Sequence, residues 1–268
     1  AALWGLPLGR VLAQAAAPGI EAQWPAVTAL VEKYVRSRKI SGMIATLGWK
    51  DQAPGYIARG REGFDDRDPD GPDSLFRAYS MTKPVTGMAA MILIDEGKLR
   101  LDQPLADIVP EFAQMQVAID PKVSLDSRPA KNPITVRHLL THTSGLGYAG
   151  IGKTQVDARL RALGVVPALV SRRRIKGIND GPPCPGPDEF LRLTASVPLL
   201  AEPGSRWSYS MGLDVLGLVI GRVAGTSFEQ FVKDRIHHVR LVGRSFSSSF
   251  IPNHSDFAAT PRLYFDRL

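Results

Sequence analysis

Leu75-Phe76-Arg77-Ala78-Tyr79-Ser80-Met81-Thr82-Lys83-Pro84, continued by Val85-Thr86-Gly87-Met88-Ala89-Ala90-Met91-Ile92-Leu93-Ile94-Asp95-Glu96-Gly97, is the stretch that decides how this chain is read. After Ser80 the residues predict a helix that is apolar nearly all round, from Val85 to Ile94. A helix with no wet face is expected in a core. It should stop at Asp95-Glu96-Gly97, with glycine at the usual terminating position. Ser80 then stands where a buried helix begins, and Lys83 lies one turn later on the same face. Helix starts leave backbone N–H groups unpaired, and these favour developing negative charge. A neutral amine within reach of a hydroxyl is a base that can activate a serine nucleophile. Pro84 is compatible with a first turn, which needs no intrahelical donor.

The spacing alone decides nothing, because Ser-x-x-Lys arises by chance roughly once in a chain of this length. The surrounding wording carries more. Leu-Phe-Arg-x-x-Ser-x-x-Lys-Pro is followed at 96–105 by Glu-Gly-Lys-Leu-x-Leu-Asp-x-Pro-Leu. Together these stretches resemble the serine β-lactamase and penicillin-binding-protein superfamily, with the nearest wording in class C β-lactamases and family VIII carboxylesterases.

The whole chain bounds the possibilities. Its 268 residues can bury a sizeable core as one large or two small domains. A composition that is 44% hydrophobic and 22% charged excludes a disordered chain. The net charge of +7 comes from 33 basic and 26 acidic residues, in part from Arg172-Arg173-Arg174-Ile175-Lys176. That run has no interleaved aromatics and no accompanying nucleic-acid motif, so it reads as a solvated loop, with no nucleic-acid partner expected. The single cysteine, Cys184, rules out an internal disulfide. It lies in a proline-rich loop with no local base, so it reads as an incidental thiol.

In chain order, residues 1–17 are apolar and end in Ala13-Gln14-Ala15. They read as the remnant of an export signal and place the protein in the periplasm or beyond. No stretch is long and apolar enough to span a bilayer. Residues 24–38 predict an amphipathic helix with Trp24, Val27, Leu30, Val31, Tyr34 and Val35 on one face. Residues 43–49 and 55–61 predict two strands. Thr135 should cap a short helix. His138 and His142, four apart, could share a metal, but no third ligand is evident. Gly147 to Thr154 matches the phosphate-loop pattern G-x-x-x-x-G-K-T, yet no buried strand precedes it, which argues against nucleotide binding. Further helices are expected over 188–197 and 212–224, and Ser227 with Gln230 should form a capping box opening a helix over 228–236.

Pro203-Gly204-x-x-Trp207-x-Tyr209-Ser210-x, running into a helix, resembles the superfamily's second motif. The resemblance makes Tyr209 the third catalytic group beside Ser80 and Lys83. A phenol ionises near pH ~10. A cationic neighbour such as Lys83 would lower that, letting Tyr209 move protons between Ser80 and a leaving group. Met211 departs from the asparagine usual in such lactamases and cannot hydrogen-bond a substrate amide, which tilts the reading from lactams toward esters. The third motif, Lys-Thr-Gly or His-x-Gly on a late strand, is not found after Tyr209. The resemblance covers about residues 20–260 and only the earlier part of a full member.

The resemblance implies an α+β, β-lactamase/transpeptidase-like fold: an antiparallel sheet flanked by helices plus a helical domain, with the sheet left incomplete in this chain. Residues 18–75 with 241–268 would supply the α/β portion and 76–240 the helical domain, with Ser80 at the junction. The implied chemistry is acyl-enzyme formation with no metal or organic cofactor. The partner is a small-molecule ester or lactam, and oligomeric state is left open. A carboxylesterase of small acyl esters leads. A β-lactamase or D-alanyl-D-alanine carboxypeptidase, and a non-catalytic penicillin-binding-like remnant, are the alternatives.

Overall fold

The computed structural model describes residues 19–48, 54–72, 74, 76, 79–150, 152–166 and 181–237. The expected export segment, the basic run and the segment 241–268 lie outside them. The described residues divide at 76/77 into two units.

The smaller unit contains α1 (Ile20–Gln23), α2 (Pro25–Arg36), β1 (Gly42–Leu47) and β2 (Gly55–Gly60). Pro25 opens α2 at its first position, where its missing N–H costs nothing. The strands are antiparallel, with Ala45 opposite Ile57. α2 packs on this ribbon, and Val31 and Ile57 are buried. Of the face expected on this helix only Val31 is enclosed. Trp24 and Leu30 remain about half exposed, because two strands cannot cover a twelve-residue helix. Arg59 ties the unit together, reaching Glu21 at 2.8 Å and Glu32 at 3.2 Å.

The larger unit is mainly helical: α3 (Thr82–Asp95), α4 (Val136–Leu140), α5 (Gln155–Ala162), α6 (Pro187–Ala195), α7 (Gly212–Ala224) and α8 (Phe228–Val232), with a short antiparallel pair β3 (Gln116–Ala118) and β4 (Ser127–Pro129) between α3 and α4. α7 is its hub, and α3, α4 and α8 all pack against it. Val215, Leu216, Val219 and Ile220 are fully enclosed. Gly225, with φ +69°, ends α7 in the left-handed conformation that glycine adopts without strain.

Three expectations are corrected here. α3 is not enclosed all round: Thr86, Ala89, Ala90 and Leu93 face the core, while Met81, Met88 and Met91 are exposed by 67%, 49% and 41%. Small Ala89 and Ala90 make the close-packing face, so only that side is filled. The box at Ser227 is half formed, since Ser227 Oγ accepts the Gln230 N–H but the Gln230 amide turns forward to donate to Asp234. The helix after it gives way at Lys233 to a wider π-turn. Thr135 does cap α4, with His138 as the reciprocal partner.

Candidate active site

Ser80 sits in a single tight turn, Tyr79–Met81, directly before α3. Tyr79 adopts φ +45° there, a conformation that non-glycine residues rarely take and that concentrates at functional sites. The turn presents Ser80 at the N-terminal end of α3, and Lys83, the second residue of the helix, follows on the same side. Lys83 Nζ donates to Ser80 Oγ at 3.2 Å.

Tyr209 arrives from the irregular segment before α7. That segment lies along residues 142–147: Ser208 N–H donates to His142 O at 2.8 Å, and Met211 N–H to Gly147 O at 3.2 Å. Tyr209 Oη stands 3.3 Å from Ser80 Oγ. Lys83 Nζ lies 5.1 Å from the centre of the Tyr209 ring. The three residues singled out from sequence are thus brought together around one hydroxyl.

Two neighbouring tyrosines are driven apart electrostatically. Burial alone would raise the Tyr209 phenol, but hydrogen bonds with Lys83 and Ser80 and the Lys83 charge outweigh it and hold Tyr209 below the usual phenol value. Tyr148, whose ring meets Tyr209 edge-on at 5.2 Å, is pushed up to about 12 by burial and by the nearby Asp214 and Tyr209. Oppositely shifted pairs mark out which group exchanges a proton and which keeps it. Of the two, Tyr209 is the phenol held nearer to ionisation.

Asp214, in the first turn of α7, is raised to about 6 by burial, against the opposing pull of Lys83. Neither Asp214 nor Tyr148 stood out in the sequence. The one available signal for Asp214 is a lone charge in an apolar helix, which reads equally as a helix-start residue.

His142 also belongs here. Its ring lies against Tyr209 with centroids 4.7 Å apart, and Trp207 meets it edge-on at 6.1 Å. His138 is engaged elsewhere, its Nδ1 accepting the Thr135 N–H at 3.2 Å. Tyr148 and Thr154 of the glycine-rich stretch meet an internal carboxyl group: Asp157 accepts N–H bonds from Tyr148 at 2.8 Å and Thr154 at 3.0 Å, and a bond from the Thr154 hydroxyl at 2.6 Å. A side chain at Gly152 would collide with Asp157, its Cβ 2.0 Å from the carboxyl carbon. The Tyr148 and Thr154 N–H groups and the Thr154 hydroxyl are spent on that carboxyl group. Burial and Asp214 push the Cys184 thiol up, which makes it a poor nucleophile.

Met211 is corrected. Its side chain is fully buried and faces Thr194, whose hydroxyl lies 3.8 Å from the sulfur. It points into the core, so its inability to bind an amide carries no preference between esters and lactams.

A model of the Beta-lactamase family matches residues 27–241. Esterase EstB of Burkholderia gladioli is 36% identical over 203 residues, which are 74% of this chain and 44% of EstB. The acyltransferase calJ of Penicillium decumbens is 34% identical over 70% of this chain and 41% of its own length. Among solved structures, EstCE1, described as a hydrolase with promiscuous acyltransferase activity, superposes with a TM-score of 0.61 at 27% identity, over 82% of this chain and 52% of EstCE1. The chain therefore spans about half the length, or less, of these proteins. Among the described residues the strands form two antiparallel pairs, β1 with β2 and β3 with β4. On the match across residues 27–241, the chain belongs to the Beta-lactamase family.

Proposed function

We propose that this chain carries the nucleophilic centre of a serine hydrolase that works through an acyl-enzyme, with small acyl esters as substrates. The observation that supports this most directly is the convergence of Lys83 Nζ and Tyr209 Oη on Ser80 Oγ, at 3.2 and 3.3 Å. In this reading Ser80 Oγ attacks the ester carbonyl while its proton passes to the Lys83–Tyr209 pair. The same pair returns a proton to the departing alkoxide. Water then adds to the acyl-Ser80 carbonyl, the carboxylic acid leaves, and Ser80 regains its proton. The ester preference draws on the similarity to esterase EstB, and the similarity to the acyltransferase calJ supports acyl transfer as the reaction class.

The test is hydrolysis of p-nitrophenyl butyrate by this chain and by Ser80→Ala, with intact mass after a fluorophosphonate probe. The expected result is turnover and a single adduct, both lost in Ser80→Ala. Turnover that survives Ser80→Ala would overturn the assignment. Nitrocefin hydrolysed faster than the ester would move the substrate class to lactams.

A further inference from the structure

His142 grips the segment carrying Tyr209 at two points. Its backbone carbonyl accepts the Ser208 N–H at 2.8 Å. Its imidazole Nδ1 accepts the Ser210 N–H at 3.2 Å and lies at the same distance from Ser210 Oγ. These are the residues immediately before and after Tyr209. Between the two anchors the His142 ring backs the phenol at 4.7 Å, tilted by 31°. His142 holds φ +55° here, a left-handed conformation uncommon for residues other than glycine. A residue that merely closed the turn after α4 would need neither the ring contact nor the imidazole acceptor.

We propose that His142 is the positioning residue for Tyr209: its carbonyl and its Nδ1 fix the backbone on both sides of the phenol, and its ring sets the hydroxyl against Ser80. The proposal rests on the acyl-enzyme reading for its effect on turnover, but not for its effect on Tyr209.

The anchor has a protonation requirement. Nδ1 accepts a backbone N–H only when it bears no proton, so the holding form is the neutral imidazole with hydrogen on Nε2. Burial, and then the charge of Lys83, hold His142 below the ordinary histidine range, which keeps that form at neutral pH. The titratable groups set against it are Lys83 from α3 and Tyr209 itself. Asp214, from α7, raises Tyr209 and is itself lowered by the Lys83 charge. Protonating Nδ1 would turn it toward the Ser210 N–H donor to donor, release one anchor, and add a second cation beside Lys83.

The experiment compares the unmodified chain with His142→Asn. Asparagine tolerates the left-handed backbone and keeps a side-chain acceptor, but has no ring and does not titrate. The chain is labelled with 13C at the tyrosine Cζ, and Tyr209→Phe identifies the Tyr209 signal. In the unmodified chain the Tyr209 signal should shift as pH falls, with a midpoint below the ordinary histidine range. It should do so together with loss of p-nitrophenyl butyrate turnover. In His142→Asn that acid transition should vanish, kcat should fall about a hundredfold with KM within a factor of about two, and the Tyr209 phenol should titrate nearer its usual value. A Tyr209 signal indifferent to the acid titration in the unmodified chain would overturn the proposal whether or not the variant folds. So would a His142→Asn chain with unchanged kcat and acid limb. Absence of ester turnover in the unmodified chain would count against the esterase reading alone, since the Tyr209 signal still decides the role of His142.

Discussion

The Tyr209 hydroxyl lies 3.3 Å from Ser80 Oγ across 129 residues of sequence. Two hydroxyls meeting at that distance, with the Lys83 nitrogen 3.2 Å from one of them, make a chain along which a proton can move. Tyr209→Phe keeps the ring that packs on His142 and Tyr148 and removes only the oxygen. We expect kcat for p-nitrophenyl butyrate to fall by about a hundred- to a thousandfold, within the range of general acid–base catalysis. The melting temperature should move by no more than a few degrees. Steady-state kinetics beside a thermal melt check this, and a Phe variant within threefold of the parent would remove Tyr209 from the proton path.

Asp214 predicts a trade of stability against pH. Burial raises its carboxyl to about 6 in the folded chain, from 3.8 for an ordinary aspartate. A raised carboxyl pKa means that the folded state binds the proton more tightly than the unfolded chain. The ionised group therefore costs stability: nothing below about pH 4, progressively more between pH 4 and 6, and the full amount above pH 6. The shift corresponds to about 3 kcal/mol. Asp214→Asn should be more stable than the parent at pH 8 by up to that amount, and no more stable near pH 3.5. Denaturant titrations at the two pH values test it. Because the Asp214 charge also raises the Tyr209 phenol, the same variant should move any Tyr209-linked limb of the rate profile to lower pH.

The glycine-rich loop gives a third expectation. Three donors, from Tyr148 and Thr154, converge on Asp157, which is 1% exposed. Asp157→Ala leaves these partly buried donors without their acceptor and should cost about 1–3 kcal/mol. Since these three donors are already occupied, Mg-ATP and Mg-GTP should not raise the melting temperature of the parent chain. A saturable thermal shift with either nucleotide would contradict this account of the loop.

The legible parts of this molecule are those set by short spacing. Ser80 and Lys83 are three apart at a helix start, so local geometry alone puts them together. Thr135 caps α4 for the same reason, and the turn-flanked apolar runs at 42–47 and 55–60 become the paired strands. Tyr209 was reached through the wording of its motif, with no local geometry linking it to Ser80. What stayed hidden depends on contacts between distant segments. His142 acts through Ser208 and Ser210, sixty-eight residues away in the case of Ser210. Asp214 and Tyr148 acquire their character from burial beside Lys83 and Tyr209, and alone they read as a helix-start carboxylate and a loop aromatic. The uniform apolarity of α3 could not show that only its Ala89–Leu93 side would be packed, because a pattern without a polar face does not say which side meets a neighbour.

Met211 supplies the last expectation, and it separates motif reasoning from structure. By motif position this residue would be exchanged for asparagine to favour lactam substrates. In the fold its side chain is fully buried, with the Thr194 hydroxyl 3.8 Å from its sulfur. Asparagine there would bury an amide with too few partners and leave part of the methionine volume empty. The two effects together should cost about 3 kcal/mol or more. Met211→Asn should therefore lower the melting temperature, and at temperatures where it remains folded its ratio of nitrocefin to p-nitrophenyl butyrate turnover should match the parent within about twofold. Parallel assays at a temperature below the variant's transition test both halves. A stable variant with a tenfold gain in relative lactam turnover would mean that position 211 does reach the substrate when one is bound.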